Sequence, residues 1–247
     1  MKLIAISIGL LITLSVNAQV QSVDQIMENI EKNGKIFSSV STMKQTNITS
    51  KGSTRTLTME AYSKDSGDKQ LSIYTAPARV KGDKILLLNG GDDIWFYTPK
   101  TDRVRHLASS AKKQKVQGSD FSYQDMEQRD YKKDFSSKIL NKEKIADVEC
   151  LLIEAIPTET GPNYSKLLFW VDVKNFVVIK TEFYDDGFLL KTLLTSEIKK
   201  VGNYWMPMKM SMINNQSGSQ TIIETTNIKL DVDIDDSKFT TNYLKKR

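Results

Sequence analysis

The chain has 247 residues, with 35 lysines and arginines against 30 acidic residues, one cysteine and one histidine. A net charge of +5, with lysines and acids interspersed along most of its length, does not mark a nucleic-acid-binding protein. One thiol excludes an internal disulfide framework, and one histidine with no Cys/His cluster argues against a zinc site, so the fold must rest on a packed core.

Residues 1–18 read as a signal peptide: Met1-Lys2 supplies the positive end, residues 3–14 are almost wholly apolar, and Val16-Asn17-Ala18 offers small and apolar residues before Gln19. The apolar run is too short to stay as a membrane span. No cysteine lies near the cleavage point, so a thioether lipid cannot be attached there. The expectation is export to the periplasm, cleavage near Ala18, no lipid anchor, and one domain over residues 19–247.

That domain opens with a helix. Ser22 and Gln25 form a capping box, Val23, Ile26, Met27 and Ile30 make an apolar stripe, and Gly34 can end it. The period then changes to 2: Leu57, Met59 and Ala61 alternate with polar neighbours, as do Leu71 and Ile73. Turn signals recur at Asp65-Ser66-Gly67-Asp68, Asn89-Gly90-Gly91-Asp92, Pro99–Asp102, Lys174-Asn175, Asp185-Asp186-Gly187, Val201-Gly202-Asn203 and Ser217-Gly218-Ser219. Short links join antiparallel neighbours, and a twisted meander of this kind coils on itself. The fold class is mainly β: a curved, incompletely closed antiparallel β-barrel with an N-terminal helix and a helical lid over an apolar cavity.

Residues 106–134 break the rhythm. They are basic, then carry Gly118-Ser119-Asp120-Phe121-Ser122-Tyr123, then the helix-compatible stretch 124–129. A long segment without strand pattern in a compact domain is functional or disordered, and the aromatic pair argues against disorder. It reads as a cover with Phe121, Tyr123 and Met126 as lid residues, opening and closing over residues 106–129.

In the stretch 204–212, Met206, Met208, Met210 and Met212 share one strand face. Methionine is flexible and polarizable, so this row serves either as an adaptable wall for alkyl chains or as ordinary core. Pro207 lacks a ladder donor and places the strand at an edge or a bend. Trp95 and Tyr97 are further cavity candidates, and with Trp170 and Trp205 they alternate along strands as wall residues. Cys150, inside an apolar run, reads as a buried inert thiol.

No nucleophile elbow or phosphate loop is present, and His106 has no partner motif. The acidic pairs Asp92-Asp93, Asp185-Asp186 and Asp235-Asp236 sit at predicted turns, where Asp is favoured for backbone reasons. No catalytic residue, metal or cofactor is expected. The cluster Arg103, Arg105, His106, Lys112, Lys113 and Lys115 is either a solvated face or, apart from His106, a contact for lipid headgroups or an acidic partner.

The strings Asp93–Pro99, Arg103-Val104-Arg105 and Gly118–Met126, with Tyr204-Trp205-Met206-Pro207 and the ending Asp235–Thr240, resemble the outer-membrane lipoprotein-sorting protein family related to LolA and LolB. The resemblance covers nearly all of the chain after the signal segment. It implies an open barrel that shelters the acyl chains of a lipoprotein or another envelope lipid, with an inner-membrane transporter and an outer-membrane acceptor as partners, and a monomeric, non-enzymatic carrier. The Gly-Ser-Asp-Phe block marks a branch distinct from the classical carrier, so the alternative is an assembly or accessory module for an envelope complex or lipid export pump.

Overall fold

The computed structural model describes residues 21–159 and 162–246, so the predicted signal segment lies outside the described residues. Helix α1 (Val23–Gly34) begins with the expected capping box, Ser22 and Gln25 exchanging side-chain and backbone hydrogen bonds. Its stripe Ile26, Met27 and Ile30 is buried.

Thirteen strands follow: β1 (Ser38–Ile48), β2 (Thr54–Lys64), β3 (Lys69–Ala76), β4 (Lys84–Leu88), β5 (Asp93–Thr98), β6 (Arg103–Leu107), β7 (Phe135–Ile145), β8 (Val148–Pro157), β9 (Lys166–Asp172), β10 (Val178–Asp185), β11 (Phe188–Val201), β12 (Tyr204–Asn214) and β13 (Gln220–Leu230). They form one antiparallel sheet in the order β6-β5-β4-β3-β2-β1-β13-β12-β11-β10-β9-β8-β7. The sheet is two meanders joined where β1 pairs with β13. It does not close, because β6 and β7 are its two edges. The predicted turns fall between strands; at Asp186-Gly187 both residues have positive φ, the geometry that lets a two-residue link follow the sheet's twist.

The connection from β6 to β7 must therefore travel from one edge to the other. It does so through 3-10 turns at Ser109–Lys113, Val116–Gly118 and Tyr123–Met126, then the one-turn helix α2 (Tyr131–Asp134). The helix expected over 124–129 is instead the 3-10 turn Tyr123–Met126, capped reciprocally by Ser122 and Asp125, and the α-helical turn comes later. A Ser-x-x-Asp cap supports one turn, and the backbone beyond is drawn off to other partners.

Strand alternation gives the sheet two buried faces. The inner face carries Leu57, Met59, Tyr74, Ile85, Leu87 and Ile94 in the first meander, and Ile153, Leu167, Phe169, Phe183 and Met212 in the second. The pairings Gln45 with Ile223 and Ile223 with Met210 put both groups on the same side. On the outer face, Cys150, Leu152 and Trp170 form one cluster with Trp205 packed against it, and Leu71, Leu86 and Tyr97 form another. The latter is covered by residues 231–246. Ile234, Phe239 and Leu244 of that segment, which ends in the one-turn helix α3 (Thr241–Leu244), pack on it. Lys84 Nζ donates to the carbonyls of Tyr243, Leu244 and Lys246 at 3.3, 3.1 and 2.5 Å.

Of the edge or bend that Pro207 suggested, the edge does not occur. β12 lies between β11 and β13, but β13 accompanies it only over Lys209–Ile213, while residues 204–207 pair with β11 alone. Proline's missing N–H falls where β13 has already left to run along β1.

Leu244 is fully buried on the outer face. Leu244→Ala is expected to cost about 2–5 kcal/mol, read as a lowered urea midpoint with an unchanged m-value.

Candidate functional site

The inner face is covered by α1 and by the crossing segment. Phe121 joins the apolar cluster of the second meander together with Ile26, Met27 and Ile30 of α1, while Val116 and Tyr123 join that of the first meander, with Met126 packed against it. All three aromatic and methionine residues assigned to the cover face the sheet.

The cover is fastened by buried polar groups. The backbone N–H of Asp120 donates to Thr221 Oγ1 at 2.8 Å, and its carboxylate accepts from Thr221 (3.0 Å), Ser219 (2.6 Å) and Lys115 (2.8 Å). Asn47 donates to the Gln117 carbonyl. Five residues further on, Asp125 accepts from the Ser122 N–H (2.7 Å) and hydroxyl (2.8 Å), from Lys191 Nζ (2.6 Å) and from the Tyr164 hydroxyl (2.6 Å). Burial first, and the Asp125 carboxylate second, push the Tyr164 phenol far above its ordinary pKa, so it remains a proton donor. At the opposite rim the Gln128 N–H donates to the Gly90 carbonyl, and Lys112 bridges Asp92 and Glu127, both at 2.9 Å. Gly91, at φ +106°, is required there: a Cβ would lie 2.8 Å from Glu127 Cγ and 3.1 Å from its Cα.

Beneath the cover, a cavity of about 150 Å³ is lined by Phe121, Phe135, Phe169, Phe183, Leu193 and Met212, with Asp125 and Tyr164 at its polar end. A second, of about 320 Å³, lies between Ile30 and Gly34 of α1, Gln70 and Met126. Glu127, Arg129 and Tyr131 line both.

The placement of the sequence candidates is mixed. The methionine row faces inward: Met208 and Met212 are buried, Met206 and Met210 half-buried. Trp95 and Tyr97 require correction, since they lie on the outer face against the 231–246 segment; their neighbours Ile94 and Phe96 face the cover. Alternation fixed their opposition but not which side held the interior, because both sides are buried. Lys112 and Lys115 are engaged in ion pairs with the chain's own acids, and Arg105 lies 5.3 Å from the Phe96 ring. Arg103 and Lys113 are exposed. The acidic pairs stand at turns: Asp93 hydrogen bonds His106, Asp185-Asp186 leads into the β10–β11 link, and Asp235 caps a 3-10 turn while Asp236 pairs with Lys64 and Lys69. Among the described residues no cluster of three or more His, Cys, Asp or Glu side chains could hold a metal ion. Asp125 has a local signature in its Ser-x-x-Asp cap, but its bonds to Tyr164 and Lys191, and that of Asp120 to Thr221, span 39 to 101 positions and leave no local pattern.

An unclosed antiparallel sheet, its inner face roofed by a helix and a crossing segment, is the LolA-like fold. The same fold is seen in a candidate outer membrane lipoprotein-sorting protein domain from Vibrio parahaemolyticus, at 29% identity and TM-score 0.83 over 90% of this chain and 97% of that one. It recurs in a DUF1329 family protein from Desulfovibrio piger (24%, TM-score 0.83, 89% and 96% covered) and a LolA superfamily protein from Nitrosomonas europaea (22%, TM-score 0.75, 91% and 100%). No curated protein matches the sequence. A family model described as that of an uncharacterized protein matches residues 66–246, and the chain belongs to that family. The resemblance to outer-membrane lipoprotein-sorting proteins is borne out, and the fold is shared with a LolA superfamily protein.

Removing either partner of the Lys191–Asp125 pair leaves a buried charge unmatched. Asp125→Ala and Lys191→Met should each cost about 3–5 kcal/mol, and the double variant clearly less than their sum, in a denaturation double-mutant cycle.

Proposed function

We propose that the protein is a non-enzymatic periplasmic carrier, exported by its signal segment, that shelters acyl chains of a lipoprotein or other envelope lipid against the inner face of its sheet. The observation that carries this reading is the pair of apolar clusters on the inner face, one through Leu57 and Ile94 and one through Phe169 and Met212, closed off by covering segments rather than by a second sheet. A water-exposed alkyl chain is disfavoured by about 0.8 kcal/mol per methylene, so a dozen amount to about 10 kcal/mol that an apolar interior offsets without chemistry. The aromatic-walled cavity of about 150 Å³ is smaller than the roughly 300 Å³ at which ligand pockets begin, so loading that cavity requires a cover to move. Transfer partners on the inner- and outer-membrane sides belong to the same reading.

Native mass spectrometry after mild extraction from the source envelope should find the protein with a co-purified amphiphile. A charge placed on the inner face by Met210→Glu should lower that occupancy about tenfold or more while thermal unfolding stays cooperative. Protein that is always empty, yet recovered with an envelope protein, would favour the assembly-module reading.

A further inference from the structure

A third cavity, of about 280 Å³, lies between the crossing segment and the rim of the second meander. On the sheet side it is built from strand ends: Asp185 closes β10 just before the Asp186-Gly187 link, and Lys191 of β11 stands opposite Asn214 of β12. On the other side the crossing segment folds back on itself. The Val116 N–H donates to the Phe121 carbonyl and the Tyr123 N–H to the Gln114 carbonyl, which sets Lys115 opposite Ser122 and turns Lys113 and Lys115 toward the cavity.

This polar cavity adjoins the aromatic one. Gln124 and Tyr164 line both, and the buried Lys191–Asp125 pair spans them, with Lys191 in the wall of the polar cavity and Asp125 in that of the aromatic cavity. Lys191 Nζ also lies 5.3 Å from the centre of the Tyr164 ring and 5.5 Å from that of Phe183. Apolar and polar surface therefore meet at Tyr164, as they do within an amphiphile.

The charges around the polar cavity do not all cancel. Lys115 is paired with Asp120 at 2.8 Å and Lys191 with Asp125 at 2.6 Å. Lys113 and Asp185 make no side-chain hydrogen bond or ion pair among the described residues. One cation and one acid are thus left over, the first on the crossing segment and the second on the sheet. A ligand that is only anionic gains at Lys113 and is repelled at Asp185, and a cation meets the reverse. A zwitterion suits both.

We propose that this cavity holds the headgroup of a zwitterionic amphiphile, its anionic group at Lys113 and its ammonium at Asp185, with the alkyl chain passing Tyr164 into the aromatic cavity. This rests on the carrier reading and narrows its ligand to lipids that carry phosphoethanolamine-type chemistry, as against purely anionic ones.

The test titrates the purified protein with lauroyl lysophosphatidylethanolamine, lauroyl lysophosphatidylglycerol, monolauroylglycerol and chain-free phosphoethanolamine. Wild type should bind the ethanolamine lipid about tenfold more tightly than the anionic one. Asp185→Asn should bring that ratio to about one, weakening the first and strengthening the second, whereas a residue that only shapes the turn would move both together. Lys113→Gln should weaken both phospholipids about fivefold and leave monolauroylglycerol unchanged. Equal affinity for the two phospholipids in wild type, or a ratio that Asp185→Asn leaves unaltered, overturns the inference while the carrier reading stands. Phosphoethanolamine bound as tightly as its lipid overturns it too, since the site would then serve a free zwitterion. Failure of every lauroyl probe to bind overturns both readings.

Discussion

An antiparallel sheet of thirteen strands that does not close must have its inner face covered by its own chain, and the rest of this structure follows from that requirement. The edges β6 and β7 are consecutive in sequence, so the chain between them has to cross the mouth of the trough. That path places backbone over a largely apolar surface, where unpaired amides and carbonyls are costly. The crossing segment meets the cost with acids and hydroxyls at fixed points: Asp120 with Thr221 and Ser219, Asp125 with Ser122, Tyr164 and Lys191. These fix where the segment sits more than how tightly it holds, as buried pairs do when desolvation offsets attraction.

Much of this was legible in the sequence, because it rests on local rules. The capping box and stripe of α1, the turn residues between strands, and the irregular excursion after β6 each leave a signature within a few positions. That the four methionines share one strand face was legible for the same reason. Trp95 and Tyr97 show where local rules end: a period of two separates two faces, but only the fold says which is inside, and here residues 231–246 bury the other. Pro207 sits within the sheet, at a stretch of β12 that β13 no longer accompanies although it still runs along β1. Lys191 and Tyr164 had no signal, since their partner Asp125 lies 66 and 39 positions away.

The two meanders are not equivalent. In the first, the inner face is filled by its own side chains with Val116 and Tyr123 laid across them. In the second, a helix held chiefly by its stripe fills the space, and the adjoining cavity is walled by aromatic rings, Phe135 and Phe169 edge to face at 5.9 Å among them. Rings and methionines can shift without leaving a polar group unmatched, so adaptable volume collects on that side.

The cover on the outer face bears on how the chain reaches this state. Lys84 is capped by carbonyls 159 to 162 positions further along, and Leu71, Leu86 and Tyr97 are buried against Ile234, Phe239 and Leu244. The strands made early therefore keep one apolar side bare until residues 232–244 exist to meet it. Pairings of such long separation form slowly, and exposed strand faces are where chains associate wrongly. The fold is thus committed late: its first meander can assemble its hydrogen-bond ladder from near neighbours, but becomes a two-sided core only when residues 232–244 have joined it.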